Sequence, residues 1–455
     1  MMRLDVQRRI TGWSPALETL APVDSQPEPS PVDENKPDQP VEALSLAEQT
    51  MPIDFTSLIA SEKNSTIKQM HQYFASIEPT TENEYTGKYK GYNLIFLTAE
   101  GFSPLGVRED VTPTLYKMIH EGHHFTNFYT PVWGVSTSDG EYVACTGLIP
   151  KSGVWSFYES GKNAMPFVMG NQLKTLGYKT VAYHDHTWTY YKRNVSHPNM
   201  GYDYKGVGHG LDVKKTWPES DLEMMEKTIP EYIGNEPFHA YYMTVSGHMQ
   251  YSFTGNYIAY KNRKLVQQLT LSDQAKAYIA TQIELDRALA YLLEQLDKAG
   301  IADRTLIALS ADHYPYGLAD ETIDELAGHS VERNFELYKN DFILYTAEME
   351  PATIDKPASS LDIIPTLSNL LGLEYDSRLL MGRDIFSDSE PLVIFQNRSF
   401  ITDKGRYNAV TREFIPNPGV QVDADYVKRM SGVVNSKMVY SAKILETDYY
   451  ARVVK

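Results

Sequence analysis

The sequence contains a single cysteine, Cys145, among its 455 residues. One cysteine cannot form an intramolecular disulfide, and it cannot build a zinc site that needs several thiolates. Both of those classes of fold are therefore excluded. Val143 and Ala144 precede Cys145, which predicts that its thiol is buried.

Long hydrophobic runs are also missing. No stretch reaches the about 18 consecutive apolar residues that indicate a transmembrane helix, and residues 1–5 lack the apolar core of a signal peptide. We therefore expect no membrane span and no export signal within this sequence.

Basic residues are outnumbered, with 42 Lys and Arg against 59 Asp and Glu, a formal net charge of −17. This balance argues against a nucleic-acid partner, because nucleic-acid surfaces are basic. An anionic substrate must instead be attracted locally, by a metal or by a few basic side chains. Hydrophobic residues make up 42% of the chain, which is ordinary for a globular protein with a sizeable core.

Composition divides the chain into four predicted parts. Residues 1–50 are predicted to be a disordered tail or linker, because their Pro-, Ser- and acid-rich middle cannot bury enough apolar area. Residues 51–90 are predicted to hold a helix, from the apolar spacing between Ile53 and Ile77, and a polar connection. A larger domain is predicted over 91–403 and a C-terminal subdomain over 404–455.

Short apolar runs recur between helical segments, as expected for buried strands of a parallel sheet. The runs cover residues 92–98, 180–183, 238–243, 305–309 and 342–345. The clearest helix is predicted over 275–299, before Gly300. This alternation predicts an α/β fold with a central, mostly parallel sheet and helices on both faces.

Carboxylates and imidazoles follow four of these strands. In open α/β sheets, ligands bind outside the carboxyl ends of the strands. The residues at these ends are Glu100, the run His184-Asp185-His186, His248, and the pair Asp312-His313.

The stretch 134–141 is the predicted centre of the chemistry. Ser138 and Glu141 match a capping box, which predicts a helix start with Thr137 at its mouth. Unpaired N–H groups and the helix dipole would stabilise negative charge on Thr137 there. The alternative is that this Ser/Thr/Asp/Gly cluster is an ordinary cap or loop.

Glu100, Asp312 and His313 supply two carboxylates and one imidazole, a set that suits Mn²⁺, Zn²⁺ or Mg²⁺. With Thr137 as a fourth ligand, the metal would lower the pKa of the hydroxyl and prepare it for in-line attack. Taken singly, Asp312 and His313 also suit a turn cap, and Glu100 suits a solvated loop.

Basic and aromatic residues are dense between His184 and Arg193, which is typical of a pocket for a phosphate that carries a polar alcohol. An arginine such as Arg193 can bind phosphate oxygens through two parallel hydrogen bonds. The aromatic residues suit a hydrophobic core equally well, since the chain has 32 tyrosines.

Six motifs in this order resemble the extracellular catalytic domain of lipoteichoic acid synthases and related phosphoglycerol transferases, in the alkaline phosphatase/sulfatase superfamily. The similarity extends from about Ile53 to Asp403. Its motifs lie at residues 83–87, 93–102, 136–141, 310–313, 361–367 and 397–400.

The resemblance implies an alkaline-phosphatase-like sandwich with Thr137 as the nucleophile. One divalent metal would be bound by Glu100, Thr137, Asp312 and His313, with Mn²⁺ the first expectation and Mg²⁺ or Zn²⁺ the alternatives. The implied substrate pocket consists of His184, His186, Tyr191, Arg193 and His248. His186 replaces a more usual acidic residue and Tyr191 a more usual tryptophan, which leaves the exact substrate open.

By the same resemblance, the donor is an anionic glycerophospholipid and the acceptor a glycolipid or glycerol phosphate. Catalysis would proceed through a phosphothreonine, on the extracellular face of a bacterial membrane or after release. The family's multi-span membrane portion is not in this sequence, so we expect an exported catalytic domain without its anchor.

Three alternatives stay open. The first is a phosphodiesterase or sulfatase-like hydrolase, although residues 136–140 lack the Pro and Arg of a sulfatase motif. The second is a phosphoethanolamine transferase, which usually needs several disulfides. The third is a binding module without activity, for which an intact metal-ligand set would be unexpected.

Overall fold

The computed structural model of the protein describes residues 46–454. Of the predicted tail, residues 1–45 lie outside the described range, and Glu48 pairs with Thr81 in an isolated bridge. The helices are α1 (Phe55–Ser61), α2 (Ser65–Ala75), α3 (Pro113–Glu121), α4 (Ser136–Thr146), α5 (Ser156–Ser160), α6 (Met169–Thr175), α7 (Arg193–Asn199), α8 (Asp221–Tyr232), α9 (Tyr257–Asn262), α10 (Asp273–Lys298), α11 (Asp320–Ala327), α12 (Ile363–Leu370), α13 (Tyr426–Thr447) and α14 (Tyr450–Val453).

The strands are β1 (Asn93–Ala99), β2 (His123–Phe125), β3 (Phe128–Tyr129), β4 (Lys179–Thr187), β5 (Asp203–Val207), β6 (Gly210–Leu211), β7 (Phe238–Met243), β8 (Thr305–Ala311), β9 (Lys339–Asn340), β10 (Ile343–Tyr345), β11 (Ala352–Ile354), β12 (Ala358–Ser359), β13 (Val393–Ile394), β14 (Phe400–Thr402), β15 (Gly405–Asn408) and β16 (Glu413–Pro416).

A nine-stranded sheet forms the centre, in the order β11-β2-β10-β8-β1-β7-β4-β5-β6. All neighbours are parallel except β10, which runs antiparallel to both β2 and β8. The predicted, mostly parallel sheet is therefore confirmed. A three-stranded sheet, β12-β3-β9, and an antiparallel sheet, β13-β14-β15-β16, lie outside it.

Both faces of the central sheet are covered, as predicted. Along β1, Leu94 and Phe96 point into one hydrophobic core, and Ile95 and Leu97 point into another. The first core includes residues of α2, α4, α12 and α13, and the second includes residues of α3, α8 and α10. Every residue of β1 is buried, which explains the unbroken apolar run from Leu94 to Leu97.

The helix prediction between Ile53 and Ile77 is wrong in one respect, because two helices occupy this span. The side chain of Asn64 accepts hydrogen bonds from the backbone N–H groups of Thr66 and Ile67 and so begins α2 after a break. The long helix predicted at 275–299 is confirmed as α10, which Ser272 caps. Within the described range, no helix is both long and apolar enough for a bilayer span.

Candidate active site

The ends of four adjacent strands, β8, β1, β7 and β4, bring the predicted site residues to one edge of the sheet. Ala99 and Ala311 pair at the ends of β1 and β8, so the residues that follow them, Glu100 and Asp312, are neighbours. His184 pairs with Met243 at the end of β7. This convergence follows from parallel pairing, which places the carboxyl ends of neighbouring strands side by side.

Glu100, Asp312 and His313 form what we call the acid–imidazole cluster. One potential ligand atom from each residue lies within 4.8 Å of the others. The Thr137 Oγ1 atom lies 3.2 Å from Glu100 Oε2 and 3.2 Å from His313 Nε2. All four side chains are buried, so the hydroxyl is held in a nearly water-free setting.

Close packing of α4 against the end of β8 sets the position of Thr137. A Cβ atom on Gly140 would lie only 2.0 Å from the backbone oxygen of Asp312. Only glycine therefore allows this approach, and Gly140 is three residues from Thr137 on the same helix. Gly247 packs in the same way, because its Cβ would lie 2.0 Å from the backbone oxygen of Glu100.

The predicted capping box is wrong, although a helix does begin here. Val135 is the N-cap residue of α4, and Ser138 lies inside the first turn. The Asp139 carboxylate accepts a hydrogen bond from the Val135 N–H at 2.7 Å. Glu141 cannot reach back to the helix start because it points into the interior. Ser136 Oγ lies 3.4 Å from the Tyr316 hydroxyl.

The cluster has the properties of a cation site. Asp312 Oδ1 accepts hydrogen bonds from the N–H groups of Gly101 and His313, whereas Asp312 Oδ2 is buried without a hydrogen bond, 3.1 Å from His313 Nε2. The Tyr314 carbonyl accepts the proton of His313 Nδ1 at 2.9 Å, which leaves a lone pair on Nε2 facing the carboxylates. Burial raises the pKa of the Glu100 carboxyl well above its usual range, and the Asp312 carboxylate raises it further. A divalent cation would satisfy all these groups at once.

Arg193 and His184 lie together beside the cluster. The Arg193 guanidinium donates from Nη1 to His184 Nε2 at 3.2 Å, and His184 Nδ1 donates to the Met243 carbonyl at 2.9 Å. Burial lowers the pKa of His184 well below its usual value, and the charge of Arg193 lowers it further. The Arg193 Nη2 atom is buried without a partner, so it has a free donor for an anion.

Glu141 is a residue of this site that the sequence interpretation missed. Its buried carboxylate accepts hydrogen bonds from Arg193 Nε at 2.8 Å, from His197 Nε2 at 3.1 Å and from the Tyr241 hydroxyl at 3.1 Å. Burial alone would raise the pKa of Glu141, but the charge of Arg193 and the hydrogen bond of His197 bring it below its usual value. The spacing i, i+4 from Thr137 was the available signal, because it places both residues on one face of a helix.

The other predicted pocket residues are less buried. His186 Nδ1 lies 3.4 Å from Glu219 Oε1, and the Arg193 guanidinium lies 5.4 Å from the centre of the Tyr191 ring. The Trp217 ring stands edge-on to both His186 and His248, at centroid distances of 5.2 and 4.8 Å. Glu219 and Trp217 were not predicted, because residues so distant in sequence give no local pattern.

A family model for sulfatases matches residues 93–373, which span the strands and site residues just described. The chain belongs to the sulfatase family. The match includes Glu100, Thr137, Asp312 and His313, and the fold is the alkaline-phosphatase-like sandwich that the sequence predicted.

Among curated relatives of this sulfatase-family chain, the lipoteichoic acid synthase-like YvgJ of Bacillus subtilis (strain 168) is 25% identical over 403 residues. That alignment covers 82% of this chain and 64% of the relative, so the chain spans just under two thirds of that relative's length. The predicted resemblance to lipoteichoic acid synthases is confirmed.

Solved structures agree on the fold. The lipoteichoic acid synthase LtaP from Listeria monocytogenes matches with a TM-score of 0.68 and 22% identity, over 84% of this chain and 98% of that one. The Streptococcus pyogenes phosphoglycerol transferase GacH, solved with sn-glycerol-1-phosphate, matches with a TM-score of 0.53 and 15% identity, over 90% of this chain and 98% of that one.

Proposed function

We propose that the protein transfers glycerol phosphate from a phosphatidylglycerol-like lipid to a glycolipid or glycerol-phosphate acceptor. The observation that carries this proposal is the Thr137 hydroxyl, which lies at the mouth of α4 within 3.2 Å of two members of the acid–imidazole cluster. The names of the similar lipoteichoic acid synthases and phosphoglycerol transferase support the same reaction class.

Glu100, Thr137, Asp312 and His313 would hold one divalent metal, with Mn²⁺ our first choice and Mg²⁺ or Zn²⁺ the alternatives. When bound, such a metal supplies positive charge that lowers the pKa of a hydroxyl and stabilises anionic oxygen. The chain's own contribution is to hold Thr137 Oγ1 at the first turn of α4, where free N–H groups also favour negative charge.

In the first step, Thr137 Oγ1 attacks the phosphorus of the donor. An Oγ1–P bond forms, the bond between phosphorus and the diacylglycerol oxygen breaks, and that oxygen leaves with a proton as diacylglycerol. In the second step the acceptor hydroxyl attacks the phosphothreonine, loses its proton and releases Thr137 as a free hydroxyl. Water as the acceptor would make the protein a phosphodiesterase instead.

Arg193 is the proposed binder of the phosphate. Its Nη2 group has no partner in the described part of the chain, while Nε and Nη1 are engaged by Glu141 and His184. The guanidinium is thus fixed with one free donor. His184, His186, Tyr191 and His248 are proposed to surround the glycerol. Because the proposed donor is a lipid, we propose that the protein acts at the extracellular face of a bacterial cell membrane, during synthesis of a cell-wall polymer.

The test is incubation of the purified protein, with Mn²⁺, with phosphatidylglycerol that carries a labelled head group. We expect labelled glycerol phosphate on an added glycolipid or on a growing polymer, together with diacylglycerol. Thr137→Ala should give neither product, and Ser136→Ala, a matched control one residue away, should retain both. Label that appears only as free glycerol phosphate would replace transfer with hydrolysis.

A further inference from the structure

Aromatic rings form a continuous ridge along the mouth of the candidate site. Neighbouring ring centroids lie 6.0 Å apart for Trp155 and Tyr191, 4.5 Å for Tyr191 and Tyr190, 5.1 Å for Tyr190 and His186, and 5.2 Å for His186 and Trp217. We call these five residues the aromatic ridge. Two of them, His186 and Tyr191, also belong to the predicted substrate pocket.

The ridge is open to solvent to an extent that is unusual for such large side chains. Trp155 is 46% exposed, Tyr190 47% and Trp217 41%. Beyond Trp217 a shallow depression lined by Phe253 and Tyr257 leads to Tyr260, which is 49% exposed. Scattered exposed aromatic residues need no explanation, but a contiguous exposed apolar strip indicates an interaction surface.

Two of the segments that carry this surface contain no acidic residue. Residues 186–202 and 250–272 contain no Asp or Glu, although the whole chain has 59. Lys192 and Lys264 lie in these segments, are exposed, and have no ion-pair partner within the described residues 46–454. Lys214 and Lys215 are exposed next to Trp217. In a chain with a net charge of −17, this edge can therefore approach a negatively charged surface.

We propose that the aromatic ridge, extended to Tyr260 and flanked by these lysines, docks the protein on an anionic phospholipid bilayer. Trp and Tyr favour the membrane–water interface because each ring has an apolar body and a polar tip. Lysine side chains near the headgroups add electrostatic attraction to anionic membranes.

This inference rests on the proposed function in one respect, because a lipid donor lies in a membrane and can reach the site only if the protein is at the bilayer. The ridge adjoins His186 and Tyr191, so docking would bring the headgroup layer to the pocket mouth. The acidic remainder of the chain would be repelled by the same membrane, which would orient the molecule with its site towards the lipid.

The test is sedimentation with vesicles of phosphatidylglycerol and phosphatidylcholine in equal amounts, compared with vesicles of phosphatidylcholine alone. We expect the wild type to partition at least tenfold more strongly onto the anionic vesicles. The double variants Trp155→Ser/Tyr260→Ser and Lys192→Glu/Lys264→Glu should each lose at least tenfold in partitioning. The matched control Val410→Ser/Val439→Ser changes residues that are 72% and 53% exposed outside the ridge, and it should bind as the wild type does.

Cleavage of a small water-soluble phosphodiester serves as a second measurement, because it needs no membrane. The ridge variants should retain it within about twofold, which shows that they are folded with an intact site. Failure of the proposed transfer with vesicle binding intact would leave the docking surface standing. The inference would be overturned if the wild type did not bind anionic vesicles, or if the ridge variants bound them as the wild type does. It would also be overturned if the control variant lost binding as the ridge variants do. Binding of a soluble glycan at the ridge, without binding of vesicles, would also overturn the inference.

Discussion

The acid–imidazole cluster and the proposed substrate pocket lie at the same edge of the sheet but are held in different ways. Glu100, Asp312 and His313 directly follow two paired central strands, and their side chains are buried. Tyr191 and His248 lie in connecting segments, His186 is next to the last residue of β4, and all three are only partly buried. Tyr191 and its neighbour Lys192 both have positive φ angles, of 50° and 59°. The difference suggests that the chemistry is fixed by the scaffold while substrate choice is left to segments that tolerate change.

The largest expected effect is at the cluster. Thr137→Ala should abolish turnover, because it removes the hydroxyl that lies 3.2 Å from both Glu100 Oε2 and His313 Nε2. Wild type denied an acceptor should accumulate a phosphoglycerol adduct on Thr137, detectable by peptide mapping with mass spectrometry. Asp312→Asn should retain the fold and lose bound metal. An adduct on Ser136 or Ser138 would show that the nucleophile is one of these residues and not Thr137.

A smaller effect is expected where the two regions meet. Arg193→Ala removes a charge-assisted hydrogen bond to the phosphate, which costs roughly 1.5–3 kcal/mol, or tens- to hundreds-fold in kcat/KM. Glu141→Gln should act through Arg193, so its effect should shrink sharply in the Arg193→Ala background. Additive losses from the two changes, measured in a double-mutant cycle, would separate Glu141 from the phosphate.

Rigidity at the cluster can be tested through Gly140. Gly140→Ala forces a Cβ against the Asp312 backbone oxygen and should lower the free energy of unfolding by about 1–3 kcal/mol, with loss of metal affinity. Gly432→Ala is the matched control, because Gly432 lies in α13 with nothing within 4 Å of its added Cβ. That change should stabilise the protein by up to about 1 kcal/mol. Equal effects of both changes on urea unfolding would argue against close packing at the site.

The smallest effect concerns the pH dependence contributed by the pocket. The pKa of His184 is lowered on folding, so below the ordinary value of about 6.5 the unfolded chain binds a proton that the native state does not. Stability should therefore fall as pH drops from 8 to 5, with this residue contributing up to about 2 kcal/mol. His184→Asn should flatten that part of the profile of unfolding free energy. An unchanged slope would mean that His184 is protonated in the native protein.

The sequence was sufficient for the sheet, the order of its strands along the chain and the convergence of Glu100, Thr137, Asp312 and His313. The sheet and the convergence of Glu100, Asp312 and His313 follow from local patterns, in which buried strands are apolar and polar side chains come after them. Thr137 was expected there from the predicted helix start and from the resemblance to a known family. The sequence was insufficient for Glu141. Residues 138–141 match a capping box, but a glutamate at this position fits a buried carboxylate equally well. The direction of β10 and the pairing of His186 with Glu219 depend on contacts between distant parts of the chain, which no local pattern encodes.

The contact between Gly140 and the Asp312 backbone also bears on motion. With no side chain between them, α4 and the end of β8 cannot separate or slide without losing their packing, so Thr137 and the cluster should fluctuate together as one body. If the proposed lipid donor requires the site to open, that motion should come from the connecting segments around Tyr191, Trp217 and His248. In hydrogen exchange, the amides of α4 should accordingly be protected far longer than those of residues 186–192.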